Sequence, residues 1–449
     1  MKRLAGILTV LPGASFACAL PPSVVLTLPT GHYIAGAAAT VGLTALLGAS
    51  ARQLPILSAR MIYAGKDRLP ENLTSYIGLL LFIGLVLIGF LGATDPMHNL
   101  LTLVFWTGVW IALPLLSMLI GNLWQPFNPW TAPVRIARTL LNRTGSAGLA
   151  QFGHWPAVLG MLGFSWFQIV STSPDDPRVL AMVALLYWAV IFLAAVAEGE
   201  DWLQQGEFLT VFFGMIARIA PFWRVRGQGK VRGLIGWPGT QVMEMAALTS
   251  GQIAFVTLAL ASLTFDGLSE TFWWMGLIGQ NPLEFSGRSA VLGVNSVGLL
   301  AIWGLTAGAI LGVLRLGRAL GGQGFAAGPV VLSFLAIAAG YHAAHYLVTL
   351  LTAGQYTIAA LNDPLFRGDE WLGLPPFYVS FGFLSNQAVM TAVYSAQFVA
   401  ILGAHLLAVV LALKLTGPGM RAAAHLPLTA LMVGYTVLGL WLLSTAKGA

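Results

Sequence analysis

The sequence predicts an all-α polytopic transmembrane helix bundle, with about ten spans after an N-terminal signal-like segment. Two observations carry that prediction. Hydrophobic residues make up 57% of the 449 residues and charged residues only 8%, whereas an ordinary soluble domain is about 25% charged. The apolar residues also recur in runs of the length needed to cross a hydrocarbon core, about 20 residues. This composition excludes a water-soluble fold and a disordered chain, and the single cysteine excludes a disulfide scaffold.

The first apolar run, Leu4 to Leu20, follows Lys2 and Arg3, is broken by Pro12-Gly13 and ends in Ala17-Cys18-Ala19. A basic start, an apolar middle and a small-residue ending describe a secretory signal peptide. Residues 1–19 are therefore expected to be a signal peptide, with an uncleaved first anchor helix as the alternative. Residues 20–449 then form one transmembrane domain. Its spans are expected at 33–49, 73–92, 99–121, 153–170, 179–197, 239–264, 289–314, 324–352, 387–413 and 427–445.

Charge sets the orientation, because Lys and Arg are retained on the cytoplasmic side of short loops. Alternate loops hold Arg52, Arg60, Lys66 and Arg68; Arg135, Arg138 and Arg143; Arg218, Arg224, Arg226, Lys230 and Arg232; Arg315 and Arg318; Lys414 and Arg421. The opposite loops hold Arg178, Arg288, Arg367 and Lys447. This places the chain in a bacterial inner membrane with both mature termini periplasmic. The bilayer accounts for the net charge of +6, and no nucleic-acid partner is required. Nine acids, Asp266, Glu270 and Asp363 among them, fall on the outer side. Two long outer loops, 265–288 and 353–386, carry aromatic residues such as Trp273, Trp371, Phe377 and Tyr378, suited either to a lid or to interfacial anchoring.

Shorter features follow. Asn128-Pro129 is a good helix start, and the residues after it read as a short amphipathic helix on the inner surface. Glu207 to Phe222 is too short to span and is expected to be interfacial or re-entrant. Gly304, Gly308 and Gly312 form a small-residue stripe that would let a neighbouring helix approach closely. The basic loops and the tryptophan-rich segment from Asn122 to Trp130 leave room for a second membrane or soluble subunit. No internal repeat is evident.

Ionisable residues within spans are costly and are functional candidates for that reason. His342 and His345 lie three apart on one face of span 324–352, in its expected outer half. His405 lies in the inner half of span 387–413, with Gln397 eight residues earlier on nearly the same face. Imidazole is a common metal ligand and holds haem axially. His342 and His345 are therefore metal-ligand candidates, and His405 and Gln397 cofactor-binding candidates, for a divalent ion (zinc or copper) or haem b. The axial separation of His345 and His405 is about 15 Å at 1.5 Å per residue, too far for one ion. Asp266 and Asp363 could join His345 at the outer face as a mixed donor set, where a bound ion would generate a hydroxide nucleophile. On the inner side Glu198, Glu200, Asp201, Glu207 and Glu244 form an acidic group, with Glu244 the deepest. It is either an ion entry or a set of partners for Arg218 and Arg224. Walker A, Rossmann, GxSxG and CxxC patterns are absent, which removes the chemistries that depend on them.

Several stretches taken together resemble a known family. They are Gly121-Asn-Leu-Trp124 to Asn128-Pro-Trp130, Glu200-Asp-Trp202 with Gly206-Glu207 and Ala217-Arg218, Thr264-Phe-Asp-Gly-Leu-Ser269, Ala344-His-Tyr346, Asn362-Asp-Pro364, Gly403-Ala-His405 and Leu438-Gly-Leu-Trp441. From about residue 70 to the C-terminus the chain resembles the fenitrothion hydrolase family of bacterial polytopic inner-membrane proteins. The resemblance implies cleavage of an organophosphate triester. It also directs attention to Glu200, Asp266, His345, Asp363 and His405. Three readings remain open: a metal or haem protein for transport or redox work, a metal-assisted phosphotriester hydrolase, and an ion or small-solute transporter.

Overall fold

The computed structural model describes residues 30–51, 54–66, 71–227, 229–321, 323–375, 379–417 and 420–445. The signal-like segment with Cys18, and the loop aromatics Phe377 and Tyr378, lie outside the described residues. Among the described residues nine helices are long and apolar enough to cross a membrane. They are α1 (Thr30–Ser50), α2 (Glu71–Leu91), α3 (Leu100–Ile120), α6 (Pro177–Glu198), α8 (Ser250–Ser269), α10 (Arg288–Ala319), α11 (Phe334–Asn362), α12 (Gln387–Thr416) and α13 (Ala422–Ser444). The remaining expected span is α5 (Trp155–Ile169), a helix of 15 residues. The chain is an all-α, multi-pass membrane bundle.

Burial ranks the helices. In α8, 78% of the apolar window is buried inside the protein, and in α11, with its lead-in from Ala327, 72%; none of the other seven long helices exceeds 39%. These two helices are central and the others face lipid on one side. A helix apolar all round belongs in such a position.

Boundaries depart from expectation for physical reasons. The span expected at 239–264 begins later, because the Thr249 side chain caps the Gln252 N–H and the Gln252 side chain returns to the Thr249 N–H. Residues Thr240–Glu244 form a separate 3₁₀ turn. α8 therefore runs to Ser269 and takes Asp266 into the helix, out of the outer loop where it was expected. α11 likewise continues to Asn362, so His342 and His345 sit near its middle rather than in an outer half. Both outer loops are shorter than expected as a result, and α9 (Phe272–Leu277) occupies part of the first.

The amphipathic inner helix α4 begins at Thr131 and ends at Leu140. Asn128 does not cap it directly, but accepts from the Trp130 N–H in the turn before. α7 (Phe208–Ile216) is buried along nearly its whole length. It is an internal short helix, not an interfacial one, and polar backbone at such depth is tolerated only inside protein.

Two packing expectations are corrected. A Cβ on Gly304, Gly308 or Gly312 would meet nothing within 4 Å, so among the described residues that stripe brings no helices together. The close approach is at Gly340 of α11, where a Cβ would run into the Ala404 side chain and lie 2.6 Å from the Ala400 carbonyl of α12. The bundle also carries a small three-stranded antiparallel sheet that the sequence did not announce. Its strands are β1 (Ala59–Lys66), β2 (Phe222–Gly227) and β3 (Lys230–Gly236), with β3 central.

Candidate functional site

The site forms where α8 and α11 meet α3 and α5. Its local origin lies in α3. Residues Val104–Ala112 are wound as a π-helix, and Pro114 follows at the start of the next α-helical stretch. Proline has no N–H, so the Trp110 carbonyl cannot receive its i+4 hydrogen bond. That carbonyl accepts instead from His342 Nε2 of α11, at 3.0 Å. A carbonyl only accepts, so Nε2 carries the proton and Nδ1 of the neutral ring is bare. Nδ1 is buried and has no partner among the described residues.

One turn further along α11, His345 Nε2 lies 2.9 Å from Asp266 Oδ2 of α8. The same oxygen accepts from the Tyr346 hydroxyl at 2.8 Å and from Gln168 Nε2 of α5 at 3.3 Å. The Tyr346 oxygen in turn accepts from Trp110 Nε1 at 3.0 Å and Gln168 Nε2 at 2.8 Å. Four helices thus converge on one carboxylate. His345 retains 9% and Asp266 16% of its side-chain exposure, so an ionisable pair sits inside the bundle. Tyr341 stacks on His345, with ring centres 5.7 Å apart. A cavity of about 10 Å³, lined by Trp110, Gln168, Phe212, Ser262, His342 and Tyr346, has room for roughly one water molecule.

Beyond the pair, Arg288 donates to the Gln168 carbonyl at 2.7 Å and to the Ser171 carbonyl at 3.3 Å, closing the end of α5. Nearby, burial pushes the Asp175 carboxyl up from the usual range, and Arg288 offsets part of that rise.

The remaining sequence candidates lie elsewhere. Asp363 ends α11 and accepts from the Arg367 and Gly368 N–H groups. It is 18 residues beyond His345, about 27 Å along the helix, and does not join His345 and Asp266. Gln397 donates to the Ala344 carbonyl at 2.8 Å and ties α12 to α11. His405 bonds the Ile401 carbonyl of its own helix through Nδ1, and its buried Nε2 has no partner among the described residues. Gln397 lies level with Ala344, and His405 is eight residues further on. The levels of His345 and His405 therefore differ by about 13.5 Å, close to the separation expected.

The inner acids do not make one group. Glu198 accepts from the Leu149 and Ala150 N–H groups. Glu200 pairs bidentately with Arg135 at 2.8 Å, not with Arg218 or Arg224. Asp201 is exposed, and so is Glu244 in its 3₁₀ turn, which was expected to be deepest. Glu207 is the buried one, with 0% exposure. It caps α7 and accepts from Tyr187 at 2.7 Å and Thr210 at 2.6 Å.

Among the described residues no group of three or more His, Cys, Asp or Glu side chains is arranged to hold a metal ion. Zinc sites need three or four protein ligands, and His345 with Asp266 supplies two. The cavity beside His342 is far too small for a porphyrin. Among the described residues the donor arrangement therefore fits neither a zinc ion nor haem b. Sequence reasoning missed Trp110, Gln168, Tyr346 and Pro114. A proline four residues after a tryptophan within a span was the available signal. Compared with known families, curated proteins and solved structures, the chain matches none of them.

Proposed function

We propose that this membrane protein is an ion transporter that carries protons through a relay inside the bundle. The observation that carries the reading is the His345–Asp266 contact at 2.9 Å between the two most buried spans. Ionisable pairs at such depth in membrane proteins serve proton relays. The step is simple. A proton arrives at His345 Nδ1, the Nε2 proton passes to Asp266 Oδ2, the carboxyl so formed releases it onward, and rotation of the neutral imidazole restores the Nε2–H form for the next proton. Tyr346 and Gln168 hold the carboxylate in place during the exchange. The reading keeps the orientation given by the basic loops, an inner membrane with both mature termini outside.

The test uses full-length protein in liposomes under a potassium diffusion potential, with a trapped pH dye. Wild type is expected to carry protons well above protein-free liposomes. Asp266→Asn and His345→Ala are expected to reduce that flux by about a hundredfold, the scale of a lost positioned proton carrier. Flux equal to that of empty liposomes, or an unaffected Asp266→Asn protein, overturns the reading.

A second reading draws on the family resemblance: hydrolysis of a fenitrothion-type phosphotriester. The same pair favours it, because a histidine oriented by a carboxylate is a general base. His345 would take the proton from an attacking water through Nδ1, and the aryloxide would leave. Release of nitrophenol by wild type and its loss in His345→Ala would support hydrolysis; release that persists in the variant would reject this site.

A further inference from the structure

The sheet carries a feature that the relay does not use. Its three strands contain Arg60, Lys66, Arg224, Arg226, Lys230 and Arg232 and no acidic residue. Residues paired across a sheet share a face. The pairings Arg60↔Ile235↔Phe222, Tyr63↔Gly233↔Arg224 and Gly65↔Val231↔Arg226 therefore form three successive rows of one face. On that face Arg60, Tyr63, Phe222, Arg224 and Arg226 are all exposed. Gly233, at its centre on the middle strand, has no side chain, and the Tyr63 side chain lies beside it, 3.5 Å from where a Cβ would stand. The edge strands β1 and β2 are about 10 Å apart, so the face presents its arginines on both edges with Tyr63 and Gly233 between them.

The other face fixes the sheet to the bundle. Trp223 is buried, with 7% exposure. Its backbone lies against Gly121, the residue that ends α3, where a Cβ would come within 3.2 Å of Trp223 Cα. Gly121 has φ +88°, a conformation that favours glycine. The row of Phe222 and Arg60 is thus rooted at the end of a membrane span, on the side where the basic loops gather. Successive strand residues rise about 3.3 Å each, so Lys66 and Lys230 lie at the far end of the sheet.

We infer that the face around Gly233 binds the phosphate headgroup of an anionic phospholipid, with Arg60 and Arg224 as its cationic arms and Phe222 and Tyr63 as interfacial anchors. Basic clusters next to a span attract anionic lipid. Aromatic side chains favour the interface level, where the sheet is rooted. Arginine also matches a phosphate in a bidentate manner. The charge and the position together select a lipid over a soluble acidic partner, which would dock with equal ease on the distal lysines.

The experiment measures binding of phosphatidylglycerol and phosphatidylcholine to the detergent-solubilised full-length protein by native mass spectrometry. Thermal unfolding in mixed micelles of each lipid provides a parallel readout. Wild type is expected to prefer phosphatidylglycerol. The Arg60→Gln/Arg224→Gln variant is expected to lose about twenty- to thirtyfold in that affinity, the combined worth of two surface cations. A Lys66→Gln/Lys230→Gln variant is expected to keep most of it. No preference in wild type, or an unchanged preference in the arginine variant, overturns the inference. So does a loss confined to the lysine variant, which would place the lipid on the distal lysines instead. If the arginine variant cannot be purified, salt decides on the wild type, since exposed charges are screened within about 3 Å at 1 M. A phosphatidylglycerol preference that survives 1 M salt overturns the inference.

Discussion

His342 donates to the carbonyl of Trp110 in the neighbouring span, and Pro114 offers that carbonyl no competing i+4 N–H. The relationship predicts an energetic coupling between positions 114 and 342. His342→Ala leaves a buried carbonyl without a donor, which costs about 1–3 kcal/mol, in addition to the lost packing. Pro114→Ala restores an N–H that can reach the same carbonyl. The double variant is therefore expected to be more stable than the sum of the single changes, by at least about 0.5 kcal/mol. Thermal unfolding of the four proteins in detergent measures this, and strict additivity contradicts it.

Tyr346 stands between three partners, accepting from Trp110 and Gln168 while donating to Asp266. Tyr346→Phe removes all three bonds at little change in volume. Gln168 keeps its contact with Asp266, but Trp110 Nε1 is left buried without its acceptor, a cost of about 1–3 kcal/mol. Proton flux in liposomes is expected to fall by about tenfold or more as Asp266 loses a donor that positions it. Unaltered flux with lowered stability would confine Tyr346 to a structural part.

The bundle was legible in the sequence because a span must be apolar along its full length, and ten such runs stand out. The residues of the relay were only partly legible. His345 and Asp266 both attracted notice, one as a span histidine and one as an outer-loop acid. The sequence put Asp266 beside His345 at the outer face, together with Asp363; the structure pairs the first two inside the bundle, because α8 continues to Ser269 and α11 to Asn362. An apolar run does not reveal where its helix will end. The strands escaped notice for a related reason. Segments such as Phe222–Gly227, with alternate arginines, read as basic loop, and only the pairing with Lys230–Gly236 makes them a sheet.

Asp363 gives a prediction about pH that separates it from the relay. Burial raises its carboxyl slightly, but backbone N–H groups of Arg367, Gly368, Asp369 and Phe366 outweigh that and hold it below the usual carboxylate range. A carboxyl with a lowered folded-state value contributes stability above its ordinary value near 3.8, and that contribution is lost as pH falls through the folded-state value. The turn after α11 is therefore expected to loosen only in strong acid, seen as faster proteolysis within 363–373. Asp363→Ala should give the same loosening at pH 7 and leave proton flux unchanged. A loss of flux in that variant would return Asp363 to the site.

Gly340 and Gly308 make opposite predictions from the same residue type. Both lie in long spans and both sit among other small residues. At Gly340 an added side chain would collide with Ala404 and the Ala400 carbonyl on α12, whereas at Gly308 it would meet nothing of this chain. Overpacking of a tight contact costs about 1–3 kcal/mol, and displacement of α12 would also stretch the Gln397 bond to the Ala344 carbonyl. Gly340→Val is therefore expected to lower thermal stability by at least that amount and to reduce proton flux, because His342 and His345 ride on α11, the helix that α12 would be pushed away from. Gly308→Val is expected to leave unfolding of the monomer in detergent within about 0.5 kcal/mol of wild type. Equal destabilisation by both variants would mean that the stripe on α10 packs against this chain after all.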